Sequence, residues 1–249
     1  MRLNIAALDS LFEIPDGSLV LLLEEVGAGA REFAYTVMRN LREERPILYI
    51  SVHRPFEAIE RDITKFLGED TAKEVLTSAT FRSLEKEFYA DTIVPTRWYT
   101  DEISLTKGDL LRSLTDEIKE LEGALLFIDS LSAIVRKYMD TVEMKDLIAL
   151  MRGLSSVSIR KGLVIMPMMS AGVFGTSLEL EFMDASNIVF YFRKVMEANK
   201  IERRLSFEKL EGDIARLSAE GVEYLEFTIA PRTGFDVTSV KYVYGVCRR

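Results

Sequence analysis

Hydrophobic and polar positions in the first part of the chain switch between strand-like and helix-like spacing. An apolar run at 18–23 follows a Pro-Asp-Gly turn and predicts a buried strand. Residues 31–44 and 55–67 place apolar side chains at helical spacing, and a second apolar run at 47–50 lies between them. This order of strand, helix, strand, helix is typical of a parallel sheet covered by helices.

The same alternation continues through the middle of the chain. A helical stripe at 110–121 precedes the run 124–128, which is apolar at every position, as central parallel strands are. A further helix is predicted at 142–154 and a further strand at 163–168.

The pattern changes after Asn187. Runs at 188–192, 204–210 and 224–230 are short and alternate, which favours edge or antiparallel strands. No repeat or linker interrupts the chain, and 249 residues suffice for one large core. We therefore predict a single α/β domain over residues 1–249, with a mostly parallel central sheet flanked by helices and antiparallel strands toward the C-terminus.

Four aromatic residues, Phe88, Tyr89, Trp98 and Tyr99, lie in the weakly patterned segment 75–105. They can line a surface groove, or they can fill the core and cap the sheet edge. Large aromatic side chains are usually buried, so the second interpretation is favoured.

Composition narrows the function classes. The chain has 40 acidic and 32 basic residues and a formal charge of −8, which repels phosphate backbones and disfavours nucleic-acid binding. Its longest apolar run is far shorter than the ~20 residues of a membrane helix. No secretory signal pattern is present, and Cys247 is the only cysteine. We expect a soluble, cytoplasmic protein without a membrane partner; the absence of glutamine further predicts a thermophilic source.

The segment between the first strand and the first helix resembles a degenerate phosphate-binding loop, or Walker A motif. That motif reads G-x-x-x-x-G-K-[ST]: glycines expose backbone N–H groups to phosphate, the lysine neutralises phosphate oxygens and the hydroxyl binds magnesium. Only Gly29 and the intervening Gly27 remain, because Glu24 takes the place of the first glycine, Ala30 that of the lysine and Arg31 that of the hydroxyl. Each lost charge-assisted contact costs ~1.5–3 kcal/mol.

Two interpretations of this loop remain open. Arg31 can reach phosphates from its position, although it cannot replace the magnesium ligand. Alternatively, the glycines only form the turn between strand and helix, and no nucleotide binds. The second interpretation is favoured, so no cofactor is expected, and ATP or ADP is disfavoured.

Several further stretches carry a family resemblance. They are residues 16–20, 48–51, 126–132, 204–212 and 225–229. In order and spacing they resemble the RecA-superfamily ATPases of the KaiC and RadA branch, over nearly the whole chain. The resemblance implies a RecA-like P-loop NTPase fold in which 126–132 is the Walker B strand and 209–212 takes the place of a K-M-R-G motif.

The departures from the family pattern concern catalytic residues. KaiC relatives read Y-I-S-F-E-E at the second strand, where acidic residues activate water, whereas this chain has His53 and Arg54 there. A histidine can accept a proton, but a solvated or capping role is favoured because no other catalytic residue is present. Asp129 matches the aspartate that holds magnesium through water in relatives; here a satisfied carboxylate at a strand end is favoured. Lys209 matches a lysine that reaches the neighbouring subunit's nucleotide, whereas Glu211 reverses the charge of the accompanying arginine.

Residues 170–177 lie where recombinase relatives have a DNA-contacting loop. The segment has no lysine or arginine, so Phe174 would stack on a base without phosphate contacts. We expect a mobile segment and a candidate partner-binding loop.

The leading hypothesis is a non-catalytic RecA/KaiC-like pseudo-ATPase that acts as a binding, assembly or regulatory protein. Its expected partner is a further copy of itself or an active ATPase of the family. The alternative is a nucleotide-binding switch or weak ATPase with Gly27, Gly29, Arg31, Asp129 and Lys209 as cofactor-binding residues. A mediator that binds single-stranded DNA is least favoured, and no catalytic residue or metal ligand is assigned.

Overall fold

The computed structural model describes residues 1–99, 109–197, 200–212 and 214–242. The strands are β1 Val20–Glu24, β2 Ile47–Ser51, β3 Thr80–Ser83, β4 Leu125–Asp129, β5 Val164–Ser170, β6 Ile188–Glu197, β7 Lys200–Leu210, β8 Val222–Ala230 and β9 Gly234–Tyr242. The helices are α1 Ala6–Asp9, α2 Ala30–Leu41, α3 Phe56–Leu67, α4 Glu69–Ser78, α5 Glu85–Tyr89, α6 Leu110–Lys119, α7 Leu131–Tyr138, α8 Met144–Lys161, α9 Thr176–Ala185 and α10 Ile214–Glu220.

The described strands form one mixed sheet in the order β3-β2-β4-β5-β1-β6-β7-β8-β9. The strands from β3 to β6 in this order are parallel, and β7, β8 and β9 continue the sheet antiparallel. Glu24 of β1 lies beside Ser170 of β5, and Ser51 of β2 lies beside Asp129 of β4. The carboxyl ends of these four strands therefore meet at one edge, where ligands bind in open α/β sheets.

Helices cover both faces of the parallel part of the sheet. One core contains side chains of α2, α3 and α4, and the other contains side chains of α6, α7 and α8. Successive residues of β4 point into different cores: Phe127 belongs to the first and Ile128 to the second. Burial on both faces explains why the run 124–128 is apolar at every position. Among the described helices, none is both long and apolar enough to cross a membrane.

The predicted α/β fold with a mostly parallel sheet and antiparallel C-terminal strands is confirmed. The strand expected at 188–192 is antiparallel to its neighbour β7, as predicted, but β6 is neither short nor at the edge of the sheet. This strand of 10 residues lies inside the sheet, parallel to β1 and antiparallel to β7. Its first three residues are all buried, and the alternation typical of an exposed strand begins only at Tyr191.

The four aromatic residues of segment 75–105 that are predicted to fill the core or cap the sheet edge differ in burial, and Phe88 packs against the core that contains α6, α7 and α8. Trp98 is 78% exposed, so the interpretation that these rings are buried is wrong at this position. Phe88 is half-buried and packs edge-on against Tyr89, with ring centroids 4.9 Å apart. Residues 100–105 of this segment, and Cys247, lie outside the described residues.

Candidate functional site

The loop of residues 25–29 joins the carboxyl end of β1 to the amino end of α2. Gly27 has φ 71° and Gly29 has φ 120°, values that side chains other than glycine rarely adopt. Val26 and Gly27 are exposed at the tip, whereas Ala28, Gly29 and Ala30 are buried. The two glycines that the sequence retains therefore shape the turn, and the buried amides of its second half point toward Glu24.

The Glu24 carboxylate is hydrogen-bonded to backbone amides of the kind that a phosphate-binding loop offers to its ligand. Its Oε2 atom accepts hydrogen bonds from the backbone N–H groups of Gly29, at 3.3 Å, and Ala30, at 3.1 Å. These groups lie at the amino end of α2, where unpaired N–H groups and the helix dipole favour an anion. The anion is supplied by the chain itself.

Burial raises the pKa of Glu24, and the amides of Ala30 and Gly29, together with the Arg31 guanidinium, lower it by less. The folded chain thus binds this proton more tightly than the unfolded chain does. The contribution of Glu24 to stability falls as pH rises from the ordinary carboxyl pKa through the folded value. Holding the ionised Glu24 carboxylate in the loop therefore lowers the free energy of unfolding.

Arg31 forms a bidentate ion pair with Asp129 at the end of β4. Its Nε and Nη2 atoms donate to Oδ2 at 2.9 Å and to Oδ1 at 3.0 Å. The Tyr49 hydroxyl donates to Oδ2 at 2.7 Å, and an Arg54 nitrogen lies 3.6 Å from the same oxygen. The Asp129 side chain is only 1% exposed. Both oxygens of the carboxylate that would face magnesium in an active relative are thus bound to a guanidinium.

The charges of this pair are strongly coupled. Burial alone would raise the pKa of Asp129, but the hydrogen bonds and charge of Arg31, with help from Tyr49 and Arg54, hold it below its ordinary value. Burial likewise opposes the charge of Arg31, and Asp129 outweighs it and raises the arginine pKa. Both groups are charged in the neutral pH range, as a compensated pair.

Tyr49 and Arg54 are site residues that the sequence reasoning missed. Ser51 of β2 pairs with Asp129 of β4. Tyr49 lies two residues before Ser51, so its side chain is on the same face of the sheet as that of Asp129. Arg54 is oriented by hydrogen bonds to Asp62 and to the Ala58 carbonyl. The tyrosine in the second strand of the motif was visible in the sequence, but its partner depends on the register between β2 and β4.

A cleft of about 370 Å³ opens beside the loop at the carboxyl edge of the sheet. Glu24, Arg31, His53, Phe88, Ser132 and Arg136 are among the residues that line it. One wall carries Glu24 and the ion pair of Arg31 with Asp129, and the other wall belongs to α5 and α7. The cleft therefore lies where ligands bind in open α/β sheets.

His53 forms part of this cleft wall and is half-buried, with its ring 5.8 Å from the Phe88 ring. Within the described part of the chain neither ring nitrogen has a hydrogen-bond partner, and Nδ1 is inaccessible to solvent. Burial lowers the pKa of His53, and the attraction of Asp129 only partly offsets this effect. The favoured solvated or capping role is therefore wrong, because the ring is neither freely solvated nor hydrogen-bonded to a helix end.

Lys209 is not brought to this cluster within one chain. It pairs with Val189, three residues before the position on β6 that lies beside Glu24. Its ammonium group donates to the Asp184 carbonyl at 2.7 Å. The structure thus brings Gly27, Gly29, Arg31 and Asp129 together and places Lys209 toward the opposite edge of the sheet.

The segment 170–177 begins next to the loop. The Ser170 N–H donates to the Ser132 hydroxyl at 2.8 Å, and the Ala171 N–H donates to the Glu24 carbonyl at 2.7 Å. The Phe174 ring lies 5.6 Å from the Arg136 guanidinium. The first two residues are anchored to the site, and the expected binding role of the segment remains a prediction.

We expect Gly29→Ala to destabilise the fold by about 1–3 kcal/mol, because its φ is unfavourable for alanine and its new methyl group would collide with Ile229. Gly153→Ala is the matched control: this exposed glycine lies inside α8, and an added methyl group meets nothing within 4 Å. The control should stabilise by about 0.5–1 kcal/mol. Urea unfolding measures both changes, and equal effects of the two substitutions would show that the turn does not constrain Gly29.

Comparisons with known proteins identify the fold. No protein-family model and no curated protein sequence matches the chain. Among solved structures, the KaiC-like protein PH0186 from the hyperthermophilic archaeon Pyrococcus horikoshii OT3 superposes with a TM-score of 0.66 at 17% identity, over 96% of this chain and 98% of that one. The flagellar accessory protein FlaH from Methanocaldococcus jannaschii gives 0.64 at 14% identity, over 96% and 97%. The chain therefore has the RecA/KaiC-like fold that its sequence motifs predicted.

Proposed function

We propose that this chain is a non-catalytic KaiC-like protein whose nucleotide site is closed by its own side chains. One observation supports the proposal above all: the Glu24 carboxylate is bound to the loop amides while Arg31 is bound to Asp129. The first contact puts a carboxylate in place of a phosphate, and the second puts a guanidinium in place of magnesium. The residues present do not fit a magnesium–nucleotide complex.

Nucleotide binding would have to displace both contacts. A phosphate would compete with Glu24 for the amides of Gly29 and Ala30, and the loop offers a methyl group at position 30 where a lysine would compensate the phosphate charge. Magnesium would compete with Arg31 for Asp129. Since each charge-assisted contact is worth ~1.5–3 kcal/mol, losing two of them lowers affinity by about a hundredfold or more.

Hydrolysis would further require a group that activates water. At the end of β2 the chain offers Arg54, which is bound to Asp62, and His53, whose pKa is lowered by burial. The resemblance to KaiC relatives places acidic residues at these positions. We therefore propose a role without ATP turnover.

The alternative nucleotide switch through Arg31 and Lys209 finds no support within one chain. Arg31 is already bound to a carboxylate, and Lys209 lies toward the other edge of the sheet. Its neighbour Glu211 accepts a hydrogen bond from Asn187 at 2.6 Å.

We propose that the chain acts through protein partners, either further copies of itself or an active ATPase of the same fold. The structural neighbour FlaH is described as an accessory protein, which is the kind of role proposed here. The formal charge of −8 disfavours nucleic acid as the partner.

The test is a turnover assay with magnesium and labelled ATP, combined with thermal unfolding in millimolar ATP, ADP or GTP. We expect no turnover above a buffer blank and no thermal shift, whereas a ligand at one hundred times its Kd would add ~2.7 kcal/mol. Asp129→Asn is the control for contaminating ATPases. Turnover by the unmodified chain that Asp129→Asn abolishes would refute the proposal.

A further inference from the structure

The cleft beside the closed loop retains hydrogen-bond donors that the fold does not use. Ser130 and Ser132 accept hydrogen bonds from the N–H groups of Ala133 and Ser170. Within the described residues neither hydroxyl donates a hydrogen bond, so both protons are available to a molecule in the cleft. Both hydroxyls lie on the cleft wall at the amino end of α7, where the helix dipole favours negative charge.

Arg136 adds an uncompensated cation to the same wall. Its side chain is exposed, forms no ion pair among the described residues and lies over the Phe174 ring. The adjacent Lys137 differs, because its ammonium donates to the carbonyls of Phe88 and Ala90 at 2.8 and 2.9 Å. Arg136 also lines a second cleft of about 490 Å³, so its five donors are accessible from two sides.

Both carboxylates that line the cleft already have partners. Asp129 is ion-paired with Arg31, and Glu24 is hydrogen-bonded to the loop amides. Among the described residues that line the cleft, Arg136 is therefore the cation without an ion-pair partner. A single negative group would be bound on the α7 side, away from Glu24.

His53 lines the cleft beside Phe88 of α5. Because Nδ1 of His53 is inaccessible, Nε2 is the ring nitrogen available to a molecule in the cleft. Phe88 is half-buried and presents a flat apolar surface. Ligand sites combine such apolar surfaces with a few convergent polar groups, in volumes of about 300–1,000 Å³.

We propose that this cleft binds a small organic anion, with a carboxylate or phosphate head on Arg136, Ser130 and Ser132 and a flat apolar part against Phe88. This inference goes beyond the proposed function and does not depend on it. A ligand of this kind does not use the blocked loop amides, and it needs no metal. The head group contacts the residues that have free donors, and His53 lies at its side.

The experiment uses phenyl phosphate and benzoate as anionic probes, inorganic phosphate as the bare head group and benzyl alcohol as the neutral analogue. Calorimetry measures affinity, and proton NMR follows the C2 proton of His53, the only histidine of the chain, in protein without an affinity tag. We expect an aromatic anion to bind with a Kd below about 10 mM and to shift this resonance. Inorganic phosphate and benzyl alcohol should each bind at least about tenfold more weakly.

Variants locate the site. Arg136→Gln should weaken anion binding at least about tenfold, since a charge-assisted contact is lost. Arg136→Lys should retain part of the affinity, because lysine keeps the positive charge and lacks only the planar guanidinium group. Arg160→Gln is the matched control, an exposed arginine on α8 whose side chain contacts Ser156. Thermal unfolding of each variant verifies folding.

Three outcomes would overturn the inference: no anion binding up to about 10 mM, equal effects of Arg136→Gln and Arg160→Gln, or benzyl alcohol binding as tightly as the anions. The relative affinities of benzoate and phenyl phosphate identify the head group. If this inference fails, the proposal of a closed nucleotide site is not affected, because binding of magnesium ATP would depend on Asp129 and not on Arg136.

Discussion

Combining Glu24→Gly, Ala30→Lys and Arg31→Thr is expected to give the chain magnesium-dependent ATP binding, with an affinity at least about a hundredfold higher than that of the unmodified chain. The first change frees the amides of Gly29 and Ala30, which Glu24 now occupies. The second supplies a cation for phosphate, and the third supplies a hydroxyl for magnesium and frees Asp129. Calorimetric titration with ATP, with and without magnesium, measures the change.

The matched control combines Ala30→Lys and Arg31→Thr and keeps Glu24. It should bind ATP more weakly than the triple variant, because the carboxylate still competes for the loop amides. Neither variant should turn over ATP rapidly, since His53 and Arg54 remain at the end of β2. If the triple variant folds and binds ATP no better than the unmodified chain, the loop contacts do not close the site.

Arg31→Met is expected to lower the free energy of unfolding by roughly 3 kcal/mol, because the buried Asp129 loses its bidentate partner and keeps only the Arg54 nitrogen at 3.6 Å. We place the effect at the lower end of the range for buried pairs, since the Arg31 side chain is 34% exposed while Asp129 is 1% exposed. Urea unfolding at neutral pH measures it. The stabilisation exists above the ordinary carboxyl pKa and disappears as pH falls through the lowered folded pKa of Asp129. The two proteins should therefore converge in stability toward acid pH.

Arg42→Met is the control for this substitution. Arg42 pairs at 2.9 Å with Glu74, whose side chain is 57% exposed, and exposed pairs contribute about 0–1 kcal/mol. The same stability loss in both variants, or a difference that does not shrink at acid pH, would contradict the assigned role of the Arg31 and Asp129 pair.

The fold was predictable wherever burial imposes a clear period. The runs at 47–50 and 124–128 are apolar at every position and correspond to β2 and β4, two strands inside the parallel part of the sheet. Burial gives no such signal for β3, whose residues are exposed or half-buried. The placement of β6 could not be predicted from the pattern, because burial changes within this one strand, from buried at every position to alternating.

The candidate site was predictable in its residues and not in its contacts. Departures from the phosphate-loop pattern identify Glu24 and Arg31, and the strand end identifies Asp129. That Glu24 accepts hydrogen bonds from the loop amides depends on the φ angle of Gly29, and that Tyr49 contacts Asp129 depends on strand register. Under the proposal of a closed nucleotide site, three-dimensional proximity makes Glu24 and Arg31 replacements for phosphate and magnesium, whereas the sequence alone indicates only lost residues.

A crystal structure of the unmodified chain grown with magnesium and ATP tests this directly. We expect the Glu24 carboxylate on the amides of Gly29 and Ala30, and Arg31 bound to Asp129, with no triphosphate in the loop. A triphosphate bound to those two amides, with magnesium next to Asp129 and Arg31 turned away, would contradict the account.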